Sequence, residues 1–163
     1  MWTLRIASLV TLMAAIGTWV AKDIIIERYS GTQLSNIGLF MIAHPVSKLG
    51  MLLLLALGGL LCLAALIAVF VRRPATDQRP SSPIDPIIWL GILALIGLSV
   101  LINVYQEIAV QMAIKEVGPV SFAVTAPQRA EQLFVFELAL WPSAFALIML
   151  LVARARRAKA LAV

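Results

Sequence analysis

The groups of this chain that could bind or pass an ion stand inside its apolar runs. Glu137 lies four residues into the run 133–153, just before Trp141 and Pro142. A carboxyl carried into hydrocarbon is expensive to keep there, and such residues mark ion paths and proton relays by default. Two blander placements stay open: Glu137 reaches the outer headgroup region, or it pairs with Arg129 or Lys115. Pro142 adds a polar group nearby, because a proline inside a helix leaves the carbonyl four residues earlier, on Leu138, without its donor. Upstream, Ser99, Asn103, Glu107 and Gln111 recur at intervals of four with Gln106 beside them, so a helix carries them as one polar stripe. Ser99 and Asn103, the deepest, are expected to face protein or water, because lipid contact would be costly. Glu107 and Gln111 are also explained by lying past the membrane edge.

Other chemistries have little to stand on. Cys62 is the only cysteine and sits between Leu61 and Leu63, as a small packing residue does; no intrachain disulfide or cysteine cluster can form. His44 is the only histidine, and before Pro45 it reads as a boundary residue rather than a metal ligand. No nucleophile–base pair or glycine-rich phosphate loop occurs, and the loops are too short to build a catalytic pocket. The expectation is no catalytic, cofactor-binding or metal-binding residues, no cofactor, and no enzyme activity.

Stepping outward from these side chains, the elements that must hold them are helices that water cannot solvate. Of 163 residues, 62% are hydrophobic and 13% charged, with a mean hydropathy of +1.00. Soluble domains carry about a quarter charged residues, so the expected solvent is a lipid bilayer. The net charge of +5 does not imply nucleic acid, because Arg72, Arg73, Arg79, Arg154, Arg156, Arg157 and Lys159 all flank apolar runs.

About twenty apolar residues cross the ~30 Å hydrocarbon layer. The sequence supplies four such spans, at approximately 5–22, 48–71, 87–106 and 132–153. The second is uninterrupted and ends on Arg72 and Arg73. The third is entered through Pro83 and Pro86, which suit a first helical turn. The first, between Arg5 and Lys22, is also compatible with a signal peptide cut near Ala15-Ile16-Gly17; the helix-compatible continuation through Tyr29 favours an uncleaved span. Residues 29–36 are turn-rich, and the apolar stretch 37–43 is expected to lie in the interface or extend the second helix.

Lysines and arginines in short loops stay cytoplasmic. The basic stretches are the linker 72–86 and the tail from Arg154 to Lys159, whereas segments 22–48 and 107–131 balance acids against bases. The expected fold is therefore all-α and polytopic, one membrane domain over 1–163 with four transmembrane helices and both termini cytoplasmic. Small residues expected at helix contacts are Ala14, Ala15 and Gly17, then Gly58, Gly59 and Cys62, then Gly91, Ala94 and Gly97.

The last three spans resemble a known family, the MotA/TolQ/ExbB proton-channel proteins. Ala123-Val124-Thr125-Ala126-Pro127-Gln128-Arg129-Ala130-Glu131-Gln132-Leu133 is similar to the family's Val-Ala-Pro-Gly-Ile-Ala-Glu-Ala-Leu run before its last membrane helix. Ile102-Asn103-Val104-Tyr105-Gln106-Glu107-Ile108-Ala109 resembles its Met-Asn-Ala-Phe-x-x-Ile-Ala, and His44-Pro45-Val46-Ser47-Lys48 its first conserved helix entrance. The departures are specific: the short linker 72–86 stands where the family has a large cytoplasmic domain. The family's middle-helix Gly-Thr falls near Ile96-Gly97, and its pore threonine on Phe136. In this alignment Glu131 keeps the family's acidic position and Glu137 is additional.

The resemblance implies a homo-oligomeric subunit of an ion-motive-force-coupled proton channel or stator-like complex in the bacterial inner membrane, five copies around a single-span membrane partner. Glu137, Ser99 and Asn103 would line the polar path, with Glu131 at its outer mouth. The alternative is a non-conducting accessory subunit, such as the small four-span component of a tripartite solute transporter, or a bundle whose polar residues only hold helices together. All of these readings require insertion in lipid, so alkaline carbonate washing of vesicles should leave the chain in the membrane pellet; recovery in the supernatant would exclude them together.

Overall fold

A computed structural model describes residues 2–29, 35–70, 84–118 and 120–160 of the protein. Five helices occupy them: α1 (Trp2–Tyr29), α2 (Asn36–Ile42), α3 (Pro45–Phe70), α4 (Ile84–Val117) and α5 (Phe122–Ala160). α1, α3, α4 and α5 are long and apolar enough to cross a membrane, and they suggest a multi-pass membrane protein. Most of the linker 72–86, with Arg72, Arg73, Arg79 and Pro83, and residues 30–34 of the turn-rich stretch lie outside the described residues.

The helices overrun the apolar runs. α5 has 39 residues, about 58 Å at 1.5 Å per residue, where ~30 Å would cross the hydrocarbon. The extra turns come from helix-compatible sequence that nothing interrupts. α1 continues from Lys22 to Tyr29, and α4 runs on until Gly118, whose φ of 90° ends it while its N–H still donates to the Ile114 carbonyl at 2.8 Å. The stretch 37–43 does not extend α3 but forms most of α2. Ser35 caps that helix by accepting from the Gly38 N–H at 3.1 Å. His44, restricted by the proline after it, separates it from α3, which Pro45 opens.

α5 is the hub. α1, α2, α3 and α4 all pack on it and α3 and α4 pack on each other, whereas α1 has its packing on α5. Accordingly 44% of the apolar window of α5 is buried, against at most 28% for any other long helix. The buried line of α3 runs Met51, Leu54, Gly58, Leu61, Ala65, Ala68, in alternating steps of three and four. That of α4 runs Ile88, Ile92, Leu95, Ser99, Asn103, Gln106, Val110. Such alternation is the spacing that near-parallel, left-handed helix packing requires. It also corrects the expected stripe: after Asn103 the buried line turns to Gln106, because a strict four-residue step drifts about 40° around a helix each time. Glu107 is thereby only half-buried and Gln111 is exposed.

The small residues divide into two sets. A Cβ on Gly58 would stand 2.8 Å from Cγ of Pro142, and one on Gly91 would stand 2.9 Å from Cδ1 of Leu61. Gly58 is thus what lets the proline ring of α5 press against α3. Gly17, Gly59 and Gly97 have nothing within 4 Å of that position, so among the described residues the contacts expected of them do not form. Gly58→Leu should therefore destabilise the bundle by about 1–3 kcal/mol through overpacking. A lowered melting temperature in detergent would report it, with Gly97→Leu close to wild type.

Candidate functional site

Polar side chains bind the helices at separate levels along α5. At its C-terminal end Asp85, buried in the first turn of α4, accepts from Arg154 Nε at 3.0 Å and Arg157 Nη1 at 3.3 Å. Arg157 Nη2 also donates to the Ala68 carbonyl at 3.2 Å, satisfying a group left open at the end of α3. One acid and two arginines thus clasp three helix ends.

Near the opposite end, Gln106 of α4 donates through Nε2 to Ser47 Oγ of α3 at 3.0 Å and to Glu131 Oε1 of α5. All three side chains are buried. On the neighbouring face, Arg129 forks onto both oxygens of Glu107 and also donates to Gln132, whose Nε2 returns to Glu107 Oε2 at 3.2 Å. A two-pronged guanidinium–carboxylate pair fixes direction as well as distance, so it aligns α4 with α5 where both run past the apolar spans.

The deepest level is the one that matters most. Lys22 of α1 donates through Nζ to Glu137 Oε2 at 2.9 Å and to Asn36 Oδ1 of α2 at 2.6 Å, with the Phe134 ring centroid 5.5 Å away. The lysine side chain is 2% exposed and that of Glu137 6%. In a low-dielectric setting neither charge would be tolerable alone; together, with an amide oxygen and an aromatic face, they satisfy most of each other's needs. Among the described residues Glu137 Oε1 has no hydrogen-bond partner, and neither do the equally buried Asn103 Oδ1 and Gln106 Oε1.

The four residues singled out for an ion path are not gathered in one place within the chain. Glu131 and Glu137 are six positions apart, about 9 Å along α5 and roughly 120° apart around it. Glu131 consequently meets α3 and α4, and Glu137 meets Lys22 of α1. Ser99 and Asn103 belong together, but through the backbone: Asn103 Nδ2 donates to the Ser99 carbonyl at 3.0 Å, and Ser99 Oγ bonds to the Ile96 carbonyl at 2.8 Å. The pairings considered for Glu137 also differ, since Arg129 takes Glu107 and the partner of Glu137 is Lys22.

Two clefts flank α1 where it leans on α5. The one towards α3 is an open groove of about 890 Å³ and has Glu137, Asn36, Trp19 and Trp141 among its lining. The one towards α4, about 450 Å³, has Asn103, Glu107, Arg129 and Gln132 at one side and apolar walls elsewhere. From Glu137 to Arg154, about 25 Å along α5, the buried polar side chains facing the bundle among the described residues are Ser143, Ser8 and, beside Glu137, Ser99, which bonds to its own helix. Ser143 and Ser8 likewise bond to carbonyls of their own helices, Ala139 and Arg5. Among the described residues no three His, Cys, Asp or Glu side chains come together to hold a metal ion.

Sequence reading missed Lys22, which looks like a flank whose charge would reach for the interface. The available signal was the apolar Ile24-Ile25-Ile26 after it, which carries α1 on and keeps its lysine inside. Asn36, Ser47 and Asp85 were missed as partners too. No family model matches the chain, and no curated protein or solved structure matches it.

Removing one member of the deep pair should cost more than removing both. Lys22→Met alone leaves a buried unpaired carboxylate and should destabilise the bundle by on the order of 2 kcal/mol, while Lys22→Met with Glu137→Met recovers most of it. Thermal unfolding in detergent across the four-member cycle measures the coupling, and purely additive losses would show that the pair has none.

Proposed function

We propose that the chain is a small multi-pass subunit of a bacterial inner-membrane assembly, with both termini in the cytoplasm, and that it serves that assembly without conducting ions itself. The observation that carries this reading is where the buried polar groups stop. They occupy the ends of the bundle and the level of Glu137, and from there to Arg154 the interior formed by the described residues is apolar apart from serines bonded to their own helices. An ion crossing that distance, about 25 Å, would lose its hydration without receiving ligands in return. The outward sides of α1, α3 and α4 are likewise apolar, with Leu9, Leu60 and Leu101 among many exposed side chains, and they suit contact with lipid or with other membrane helices. Orientation follows the positive charges: Arg154, Arg156 and Arg157 follow the last span and the basic linker follows the second.

A second reading keeps the resemblance to the proton-channel proteins and makes the chain an ion-motive-force-coupled, stator-like subunit. Its support is the Lys22–Glu137 pair, because ionisable groups held in hydrocarbon are characteristic of proton relays. In that reading further copies of the chain or a single-span partner would have to complete the path beyond Glu137.

Proton flux into proteoliposomes under an imposed potential separates the two. The first reading expects flux no greater than in protein-free vesicles, with Glu137→Gln and Asn103→Ala indistinguishable from wild type. Flux that either substitution abolishes would overturn it in favour of the second. A tag after Val163 should be inaccessible to protease in intact spheroplasts, and cleavage there would refute the orientation.

A further inference from the structure

The exposed residues of α5 inside the membrane fall on one strip. Trp141, Ile148 and Val152 are 36–42% exposed although α5 is the hub, and the exposed Arg156 follows them. Steps of seven, four and four keep the four residues within about 80° of one another around the helix. The strip opens between α1 and α3, because Trp141 lines a groove there with Ile16 and Trp19 of α1 and Gly59 of α3. α1 and α5 run in opposite directions: Ile16 lies by Trp141 in that groove, and Ile25 by Gln132 in the other. Arg5, about three turns before Ile16, therefore stands on the same face of α1 and about level with the arginines that end α5. From Trp141 to Arg156 is about 22 Å, longer than half of the ~30 Å hydrocarbon layer. The strip is thus apolar through one leaflet and basic where that leaflet ends.

Charge decides the occupant. Among the described residues Asp85 is the one acid at this end of the bundle, and Arg154 and Arg157 both hold it. Arg5 and Arg156 are exposed and have no acid partner among the described residues. A second copy inserted the same way would bring further arginines to the same level, cation against cation. A zwitterionic head would bring an ammonium with its phosphate. A lipid whose head is a net anion supplies the missing charge, and its acyl chain covers the strip. We infer that this groove is a binding site for an anionic phospholipid, with its phosphate at Arg5 and Arg156 and one acyl chain along Val152 and Ile148 towards Trp141. The site goes beyond the proposed role and needs only insertion in lipid, since it uses neither Lys22 nor Glu137.

The test places the intact protein in phosphatidylcholine nanodiscs with a trace of phosphatidylglycerol carrying a photoreactive diazirine on one acyl chain, or of phosphatidylcholine carrying the same chain. Phosphatidylglycerol should label peptides of α5 around Ile148 and Val152 saturably, and about twentyfold better than phosphatidylcholine. Each arginine near an anionic head is worth about fivefold. Arg5→Gln and Arg156→Gln should therefore each cut the preference about fivefold, and together abolish it. Val152→Trp, which fills the strip one turn before Arg156, should remove the saturable labelling while elution volume and helical circular dichroism stay as in wild type. Equal labelling by the two lipids, unsaturable labelling over all exposed helix faces (annular lipid only), a preference that survives the double substitution, or saturable labelling that survives Val152→Trp would each overturn the site. So would a disulfide between two copies carrying Val152→Cys in a Cys62→Ala background, because it would put a second copy in the groove.

Discussion

A lysine ammonium and a carboxylate, both withdrawn from solvent and 2.9 Å apart, are the contact on which the arrangement of this bundle turns. In lipid, leucine against leucine gains little over leucine against an acyl chain, so apolar packing alone specifies weakly which helices meet and in what register. A buried charge has no such freedom, because every alternative register leaves it unpaired in hydrocarbon. Lys22 can be satisfied where Glu137 and Asn36 converge, and that convergence ties α1, α2 and α5 together at one height. The consequence is largest for α1, which has its packing on α5 and would otherwise be free to slide along it.

The remaining polar contacts repeat this logic at the two ends. Asp85 with Arg154 and Arg157 joins α3, α4 and α5 at one end, and Ser47, Gln106 and Glu131 join the same three at the other. With both ends fixed, the stretch between can be packed by shape. There Gly58 receives Pro142, where α5 gives up a regular hydrogen bond and presents a rigid ring instead. The polar groups therefore separate into structural clasps at the ends and a pair at the level of Glu137 that touches a cleft. Glu137 joins burial and, among the described residues, an acceptor without a partner beside one cleft, and Asn103 does so beside the other.

The all-helical character, the four long apolar helices and the burial of Ser99 and Asn103 were legible from residue order. Each depends on neighbours in the chain: apolar length for a span, and the helical period for a face that cannot meet lipid. The same local rule overreached at Glu107 and Gln111, where a step of four drifts off the buried line that Gln106 continues. It also gave no reason to expect α2 as a separate helix beyond the proline at its far side.

What residue order by itself determined is which side chains would be costly in lipid, namely Glu137, Asn103 and Ser99. What the tertiary structure alone decided is how that cost is met. Lys22 and Glu137 are 115 positions apart, and no period or composition links them. Likewise Glu131 and Glu137 look like neighbours on one path, yet their angular separation on α5 sends them to different helices. Cost is a property of a residue and its medium, so sequence can report it. Compensation is a property of distances across the fold, and those exist only once α1, α2, α3 and α4 have all been laid against α5.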